Sequence, residues 1–250
     1  MMEFEGKVAI VTGATSGIGM ATARKFVEQG GKVAAAGRKK DVLSKVASAN
    51  IKTYVVDLLD ERDTANFVSQ VLKDFGRIDV LVNAAGIIAS GSIENTTMAA
   101  YDVMMNINVR SVFQLTQLAL PSIIEHKGNV VNVSSVTGLR AFPGVLAYCV
   151  SKAALDQLTR CAALELAPKG VRINAVNPGV VRTNLHRNSG MTEDAYAAFV
   201  ERSLTTHPIG RIGEADEIAD LILFLASSKA GWITGVTYSI DGGRAQTCAR

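Results

Sequence analysis

A tyrosine and a lysine in the stretch Y-C-V-S-K, residues 148–152, are the residues with the clearest chemical potential. The surrounding run AYCVSKAALDQLTRCAALELA is typical of a helix, and side chains at positions i and i+4 of a helix share a face. A phenol loses its proton at about pH 10, but a neighbouring ammonium group favours the phenolate and lowers the pKa of the phenol. A tyrosine with such a lowered pKa can act as a general acid or base near neutral pH. The alternative is a surface pair on a helix, and this pattern alone does not exclude it.

A glycine-rich turn near the amino terminus predicts a site for an anion. The apolar run KVAIVT (7–12) is typical of a buried strand and leads into TGATSGIG (12–19). Gly13, Gly17 and Gly19 let the backbone turn tightly and approach a ligand closely. A helix is predicted to begin here, and its free N–H groups and positive dipole end favour an anion such as a pyrophosphate. The glycine spacing is not the common G-x-G-x-x-G. The prediction of an anion site therefore depends on the location of the turn between a strand and a helix.

The elements that must position these residues alternate between short apolar runs and longer amphipathic runs. Strands are predicted at 7–12, 32–37, 52–57, 79–86, 129–135, 171–179 and 237–243. Helices are predicted at 17–30, 40–49, 61–76, 97–125, 148–167, 192–203 and 214–227. This alternation predicts one α/β domain, residues 1–250, with a doubly wound, seven-stranded parallel sheet and helices on both faces. Such sheets bind ligands beyond the carboxyl ends of their strands.

The segment after the second predicted strand favours NADP over NAD. An acid about 20 residues after the glycine turn usually grips the ribose 2′-hydroxyl of NAD, but AAAGRKK (34–40) holds none. Arg38 can bind a 2′-phosphate bidentately, with Lys39 beside it, and basic residues are otherwise unfavourable near a helix N-terminus. The alternative is a solvated start of a helix. Asp57, at the end of the third strand, is placed to accept a hydrogen bond from the adenine amine.

Composition and charge limit the classes of function. The chain has 250 residues, 48% of them hydrophobic and 20% charged, and a formal net charge of +3 without a basic block typical of nucleic-acid binding. Cys149, Cys161 and Cys248 form no C-x-x-C pair, which favours a reduced, cytoplasmic setting. The three histidines match no metal spacing, so no metal site is expected. No apolar run reaches about 18 residues, so no membrane span is expected.

The motifs, taken in order, resemble those of the short-chain dehydrogenase/reductase family. The resemblance covers nearly the whole chain and extends to I-T-G…D-G-G (233–243). Ala84 departs from the commoner asparagine of N-N-A-G. The sequence is most similar to the carbonyl reductases and the 3-oxoacyl-acyl-carrier-protein reductases of this family. The matching motifs are TGATSGIG, Asp57, N-A-A-G (83–86), Asn108 in NINVRS, Ser135, Y-C-V-S-K and NPGVVRT (177–183).

The resemblance implies a Rossmann fold and an NADPH-dependent reduction of a ketone or aldehyde to an alcohol. It implies that Tyr148 donates a proton to the carbonyl oxygen and that Ser135 orients that oxygen by a hydrogen bond. Lys152 would lower the pKa of Tyr148 and hold the nicotinamide ribose, and Asn108 would keep a water that links Lys152 to solvent. The expected cofactor-binding residues are Gly13, Thr15, Ser16, Gly17, Ile18, Gly19, Arg38, Lys39, Asp57, Leu58, Asn83, Ala84, Ala85, Gly86, Tyr148, Lys152, Pro178, Gly179, Val181 and Thr183.

The segment 184–207 is predicted to fold over the substrate as a mobile lid. Its apolar residues suit a neutral, moderately lipophilic carbonyl compound, because the lid's cations are expected to face solvent. A carrier-protein substrate would instead need a basic surface near the mouth, for which Lys127 and Lys169 are the candidates. The apolar residues are Leu185, Met191, Tyr196, Phe199 and Leu204, and the cations are Arg182, Arg187 and Arg202.

Three alternatives to this function stay open. The protein could be a 3-oxoacyl-[acyl-carrier-protein] reductase, it could oxidise an alcohol, or it could be a catalytically silent regulator that binds NADP. The presence of the asparagine, serine, tyrosine and lysine together argues against a silent regulator. The resemblance also implies a homotetramer built on the helices at 97–125 and 148–167, with neither nucleic acid nor a membrane as a partner.

Overall fold

The computed structural model describes residues 2–247. The apolar runs form the strands β1 (Val8–Thr12), β2 (Lys32–Gly37), β3 (Ile51–Val55), β4 (Val80–Asn83), β5 (Asn129–Val133), β6 (Arg172–Pro178), β7 (Val181–Arg182), β8 (Gly213–Glu214) and β9 (Thr237–Ile240). The helices are α1 (Gly17–Glu28), α2 (Lys40–Leu43), α3 (Glu61–Phe75), α4 (Met98–Met105), α5 (Ser111–Glu125), α6 (Val136–Leu139), α7 (Leu146–Leu166), α8 (Leu185–Asn188), α9 (Glu193–Thr206) and α10 (Ala215–Ala226).

The predicted seven-stranded parallel sheet is confirmed, with the strand order β3-β2-β1-β4-β5-β6-β9. Its central strands are buried throughout because helices cover both faces. On one face, Phe26 of α1 and Ile222 of α10 pack against the sheet. On the other face, α3, α5 and α7 contribute Phe67, Leu115 and Ala163. Residues 2–247 therefore form a single doubly wound domain. The pair β7–β8 makes a second, two-stranded parallel sheet that the sequence patterns did not predict.

The predicted long helix at 97–125 is divided by a π-helical segment, Asn106–Arg110, between α4 and α5. Each π turn accommodates one more residue than an α turn, and such segments are frequent at functional sites. The predicted helix at 40–49 is also shorter, because it ends at Leu43 and the chain then turns so that Ser48 pairs with Ile51. The predicted strand at 79–86 stops at Asn83, which leaves Ala84–Gly86 free to line a cavity.

Two cysteines are relevant to the predicted reduced, cytoplasmic environment of the protein. Among the described residues, Cys149 and Cys161 are free thiols, and Cys248 lies outside the described residues. The cytoplasmic location stays a prediction. Within residues 2–247, no helix has both the length and the apolar character needed to cross a bilayer.

Candidate active site

A cavity of about 590 Å³ lies at the carboxyl ends of the parallel strands. Its wall joins the glycine turn after β1 to Ser135 after β5 and to Tyr148 and Lys152 on α7. All of the predicted cofactor-binding residues lie on this wall except Lys39 and Asn83. Asn83 is buried and its amide donates to Asn132 Oδ1 at 2.9 Å, so it braces the end of β4.

The glycine turn is shaped to receive a group against its backbone. Gly13 has a φ of +66°, and a Cβ there would lie 2.8 Å from the Ala84 carbonyl oxygen. A Cβ on Gly19 would lie 2.5 Å from the Gly13 carbonyl oxygen. Ser16 precedes α1 without capping it, and the first turn of α1 holds no acidic residue. The N–H groups at this helix end therefore remain available to an anion, which fits the pyrophosphate of a dinucleotide.

Beside the glycine turn, the cavity wall carries Arg38 and Asp57, which follow β2 and β3. Both side chains are exposed, and Asp57 Oδ1 accepts a hydrogen bond of 3.1 Å from the Leu59 N–H. A Cβ on Gly37 would lie only 2.7 Å from Thr15 Cγ2. A side chain at position 37 would thus force the Thr15 side chain of the glycine turn to move, whereas the exposed side chain at position 38 can be replaced without this clash.

The buried side chains of Tyr148 and Lys152 lie on one side of α7, 6% and 4% exposed. Lys152 Nζ donates to the Val133 carbonyl oxygen at 2.8 Å, at the end of β5, and lies 5.7 Å from the centre of the Tyr148 ring. Ser135 Oγ accepts a hydrogen bond from the Thr137 N–H at 3.2 Å, and Ser135 and Tyr148 both line the cavity. The sheet holds α7 in place through hydrogen bonds such as the 2.9 Å contact from Asn132 Nδ2 to Thr159 Oγ1.

Asn108 lies in the π-helical segment behind the cavity wall. Its Oδ1 accepts from the Ile87 N–H at 2.9 Å, and its Nδ2 donates to the Ile87 carbonyl at 3.0 Å and to Ser151 Oγ at 3.0 Å. A Cβ on Gly86 would lie 3.2 Å from Asn108 Oδ1 and 3.6 Å from Lys152 Nζ. Gly86 therefore leaves space between these two polar groups that a larger side chain would fill.

The pKa of Tyr148 is not lowered toward neutrality as the sequence suggested. Burial raises the pKa of Tyr148 to about 12, and hydrogen bonding by Ser135 lowers it only in part. Burial also lowers the pKa of Lys152 to about 8, although the negative charge of Asp156 acts to raise it. The prediction is wrong for the polypeptide by itself because desolvation acts on both groups and the ammonium bonds to the Val133 carbonyl. Tyr148 is thus held in its protonated form, the form that can donate a proton.

Comparison with known proteins decides the family. A family model described as Enoyl-(Acyl carrier protein) reductase matches residues 13–245. The chain is 38% identical to 3-oxoacyl-[acyl-carrier-protein] reductase FabG of Thermotoga maritima, over 97% of this chain and 99% of that one. It is 36% identical to L-xylulose reductase of Mus musculus, over 95% and 96%. A short-chain dehydrogenase/reductase of unknown function from Caenorhabditis elegans, solved with cofactor, matches with a TM-score of 0.93 at 34% identity, over 99% and 98%. The chain belongs to the short-chain dehydrogenase/reductase family.

As a short-chain dehydrogenase/reductase, the protein is an oxidoreductase that acts on CH–OH or C=O groups with a nicotinamide cofactor. The glycine turn and the open N-terminus of α1 fit the pyrophosphate of that cofactor. The named relatives act on different compounds, so membership of the family does not assign the substrate.

The predicted lid region, residues 184–207, forms α8 and α9 and covers one end of the cavity. Leu185 and Phe199 line the cavity, together with His186 and Asn188. The other predicted apolar residues, Met191, Tyr196 and Leu204, do not line it. Arg187 pairs with Glu193 and Arg182 pairs with Glu214, while Arg202 is exposed.

His207 fixes the end of this segment to the cavity wall. Its Nε2 accepts a 3.1 Å hydrogen bond from the Val180 N–H. Its Nδ1 must then carry the proton and donates to the Ser203 carbonyl at 2.6 Å. Burial lowers the pKa of His207, which favours this neutral ring. The carboxyl end of the segment is therefore tied to the short connection between β6 and β7.

The prediction that Lys127 and Lys169 could form a basic surface near the mouth of the cavity is wrong. Lys127 and Lys169 follow α5 and α7 and precede the amino ends of β5 and β6. The cavity lies at the carboxyl ends of the same strands, so both lysines are at the opposite edge of the sheet. Helices that connect parallel strands return the chain to the amino edge, which is why the residues after them cannot reach the cavity.

Sequence reasoning missed Asp156 and Arg244. Asp156 lies one helical turn beyond Lys152, is buried, and accepts a hydrogen bond from Asn177 Nδ2 at 2.8 Å. Its i+4 spacing from Lys152 was a usable signal. Arg244 lies on the cavity wall, but nothing local in the sequence indicated it, because the chain beyond β9 reaches the wall only by turning back.

Proposed function

We propose that this protein is an NADPH-dependent reductase that converts a ketone or aldehyde to an alcohol. The observation that carries the proposal is the joint position of Ser135, Tyr148 and Lys152 on a cavity whose other end is the glycine turn. A phenol and a hydroxyl that converge there suit a carbonyl oxygen. A buried ammonium group one turn along α7 suits the hydroxyls of a ribose.

The residues divide between binding and proton transfer. The N-terminus of α1 would hold the pyrophosphate, Arg38 the 2′-phosphate, and Lys152 the nicotinamide ribose. A nicotinamide cofactor bound there would supply the hydride that the carbonyl carbon accepts. Ser135 Oγ donates a hydrogen bond to the carbonyl oxygen, and Tyr148 Oη transfers its proton to that oxygen. Lys152 stabilises the resulting phenolate, and Asn108 supports the path by which Tyr148 regains a proton.

We expect kcat/KM for carbonyl reduction to fall as the pH rises past about 8, where Lys152 loses its proton. Tyr148, with a pKa of about 12, stays protonated through this range, so the loss reflects the ammonium group. A pH series of kcat/KM reports the free enzyme's ionisations. Lys152→Arg, which keeps its charge, should flatten this limb of the profile. A profile of the unmodified enzyme that is level well above pH 8 would contradict the role of Lys152.

A panel of ketones, aldehydes and alcohols, followed by nicotinamide absorbance with NADPH and with NADH, tests the proposed function. We expect turnover of carbonyl compounds with NADPH. Activity confined to carrier-bound 3-oxoacyl chains would favour the carrier-protein alternative. Cofactor binding without turnover of any compound would favour the silent regulator. The reaction is reversible, so alcohols with NADP⁺ belong in the same panel.

We propose a homotetramer that covers the outer sides of α5 and α7. Apolar side chains project from these helices: Phe113 is exposed, and Leu164 is 80% exposed. Val150 is exposed on α7 as well. Apolar groups aligned along two adjacent long helices are typical of a contact between subunits. Light scattering of the purified protein measures the mass, and a monomer at micromolar concentration would contradict the proposal.

A further inference from the structure

A guanidinium group from the C-terminal segment lies in the cavity wall at the end covered by the lid region. After β9 the chain turns back, and the two carboxylate oxygens of Asp241 accept from the Gly243 and Ala245 N–H groups at 3.0 and 2.7 Å. Arg140 donates to the Thr247 carbonyl at 2.8 Å and holds the segment from the other side. These contacts fix the turn and bring the Arg244 side chain to the cavity.

Arg244 forms no ion pair in the described part of the chain, and the nearby carboxylate of Asp241 acts on its charge only from a longer distance. Its guanidinium carbon lies 4.8 Å from the centre of the Phe142 ring. Its Nε is buried without a hydrogen-bond partner among the described residues, and none of the ion pairs within residues 2–247 includes it. Asp241 is near, but both of its oxygens already accept backbone hydrogen bonds. An arginine keeps its charge. A half-buried charge without an ion pair is unfavourable, unless an anionic ligand binds beside it and pairs with it.

The end of the cavity at Arg244 suits an anion, because the other charged groups on the wall lie elsewhere. Among the described residues that line the cavity, Asp57 is the one acid, and it lies at the end near Arg38. Lys152 lies at the reacting end. Beside Arg244, burial and the arginine's charge lower the pKa of His186, which keeps that ring neutral. No described acidic side chain on the wall therefore competes for the guanidinium.

We propose that the substrate is an oxo acid whose carboxylate binds Arg244. This rests on the proposed carbonyl reduction and names its substrate class. The planar guanidinium can donate two parallel hydrogen bonds to a carboxylate. Phe142, Leu185 and Phe199 line the same end and contact the carbon chain. This substrate class differs from the neutral compound predicted from the sequence, where the cations of the lid region are expected to face solvent and Arg244 is not a candidate.

Kinetics on matched substrates test the proposal. A series of oxo acids of increasing chain length, each beside its methyl ester, is reduced with NADPH by the unmodified protein and by Arg244→Met. Methionine keeps an unbranched side chain against Phe142 and removes the charge. Arg202→Met is the matched control, since Arg202 is exposed and off the cavity wall. Thermal unfolding of each variant shows that it is folded.

We expect the unmodified protein to prefer at least one acid over its ester by about ten- to a hundredfold in kcat/KM. Arg244→Met should abolish this preference by raising KM for the acid, with rates on the ester unchanged, and Arg202→Met should keep it. Equal rates on acid and ester, a preference for the ester, or an equal loss on both in Arg244→Met would overturn the proposal.

A binding measurement separates this proposal from the proposed function. Short hydroxy acids, added to the NADP⁺ complex at fixed ionic strength, should raise the Tm of the unmodified protein and not that of Arg244→Met. If this shift is present and no carbonyl compound is reduced, the proposed function fails and the anion site stands. If neutral ketones are reduced and no acid shifts the Tm, the anion site fails and the proposed function stands.

Discussion

Tyr148→Phe is expected to lower kcat/KM for carbonyl reduction by more than about a hundredfold. The substitution removes the phenolic proton and leaves the ring, which is buried with Met104 and Ala147. The fold and the cofactor end of the cavity should therefore be unchanged, and the Kd for NADPH should stay within about twofold. Steady-state rates and nucleotide fluorescence titration measure the two quantities.

Tyr54→Phe is the control for Tyr148→Phe. Tyr54 donates a 2.6 Å hydrogen bond to Asp74 and lies off the cavity wall. Its loss should cost about 1–2 kcal/mol of stability without a change in turnover. Near-normal turnover by Tyr148→Phe would contradict the assignment of Tyr148 as the proton donor.

Arg38→Asp is expected to shift the ratio of kcat/KM for NADPH over NADH by about a hundredfold or more toward NADH. The exposed guanidinium on the cavity wall is exchanged for a carboxylate that repels a 2′-phosphate and can accept from a 2′-hydroxyl. Gly37 stays unchanged, because a Cβ there would lie 2.7 Å from Thr15 Cγ2 and would push against this side chain of the glycine turn.

Lys40→Gln controls for a general loss of positive charge in this region. Lys40 begins α2 and is not on the cavity wall, so its variant should keep the preference for NADPH. Equal affinity of the unmodified protein for both cofactors would mean that residues 38–40 are only a solvated start of a helix.

Much of the fold follows from local sequence patterns. The run VAIVT of β1 is buried on both faces and is apolar up to Thr12, and the helices between the strands carry apolar residues on one side. Parallel strands end at one edge of the sheet. The sequence therefore predicts that Ser135, at the end of the fifth strand, and the glycine turn, after the first, lie at the same edge of the sheet. The pair of Tyr148 and Lys152 needed only the regular spacing of a helix.

The tertiary structure alone decided the properties that depend on burial and on contacts between distant segments. The pKa of Tyr148 rises because packing removes water from the phenol, and no spacing of residues encodes that loss. Lys127 and Lys169 lie at the wrong edge of the sheet because each connecting helix carries the chain back to the amino ends. Arg244 enters the cavity because Asp241 and Arg140 hold a backbone turn around it. The sequence thus determined which residues reach the carboxyl edge of the sheet, and the folded packing determined their ionisation and which distant charge joined them.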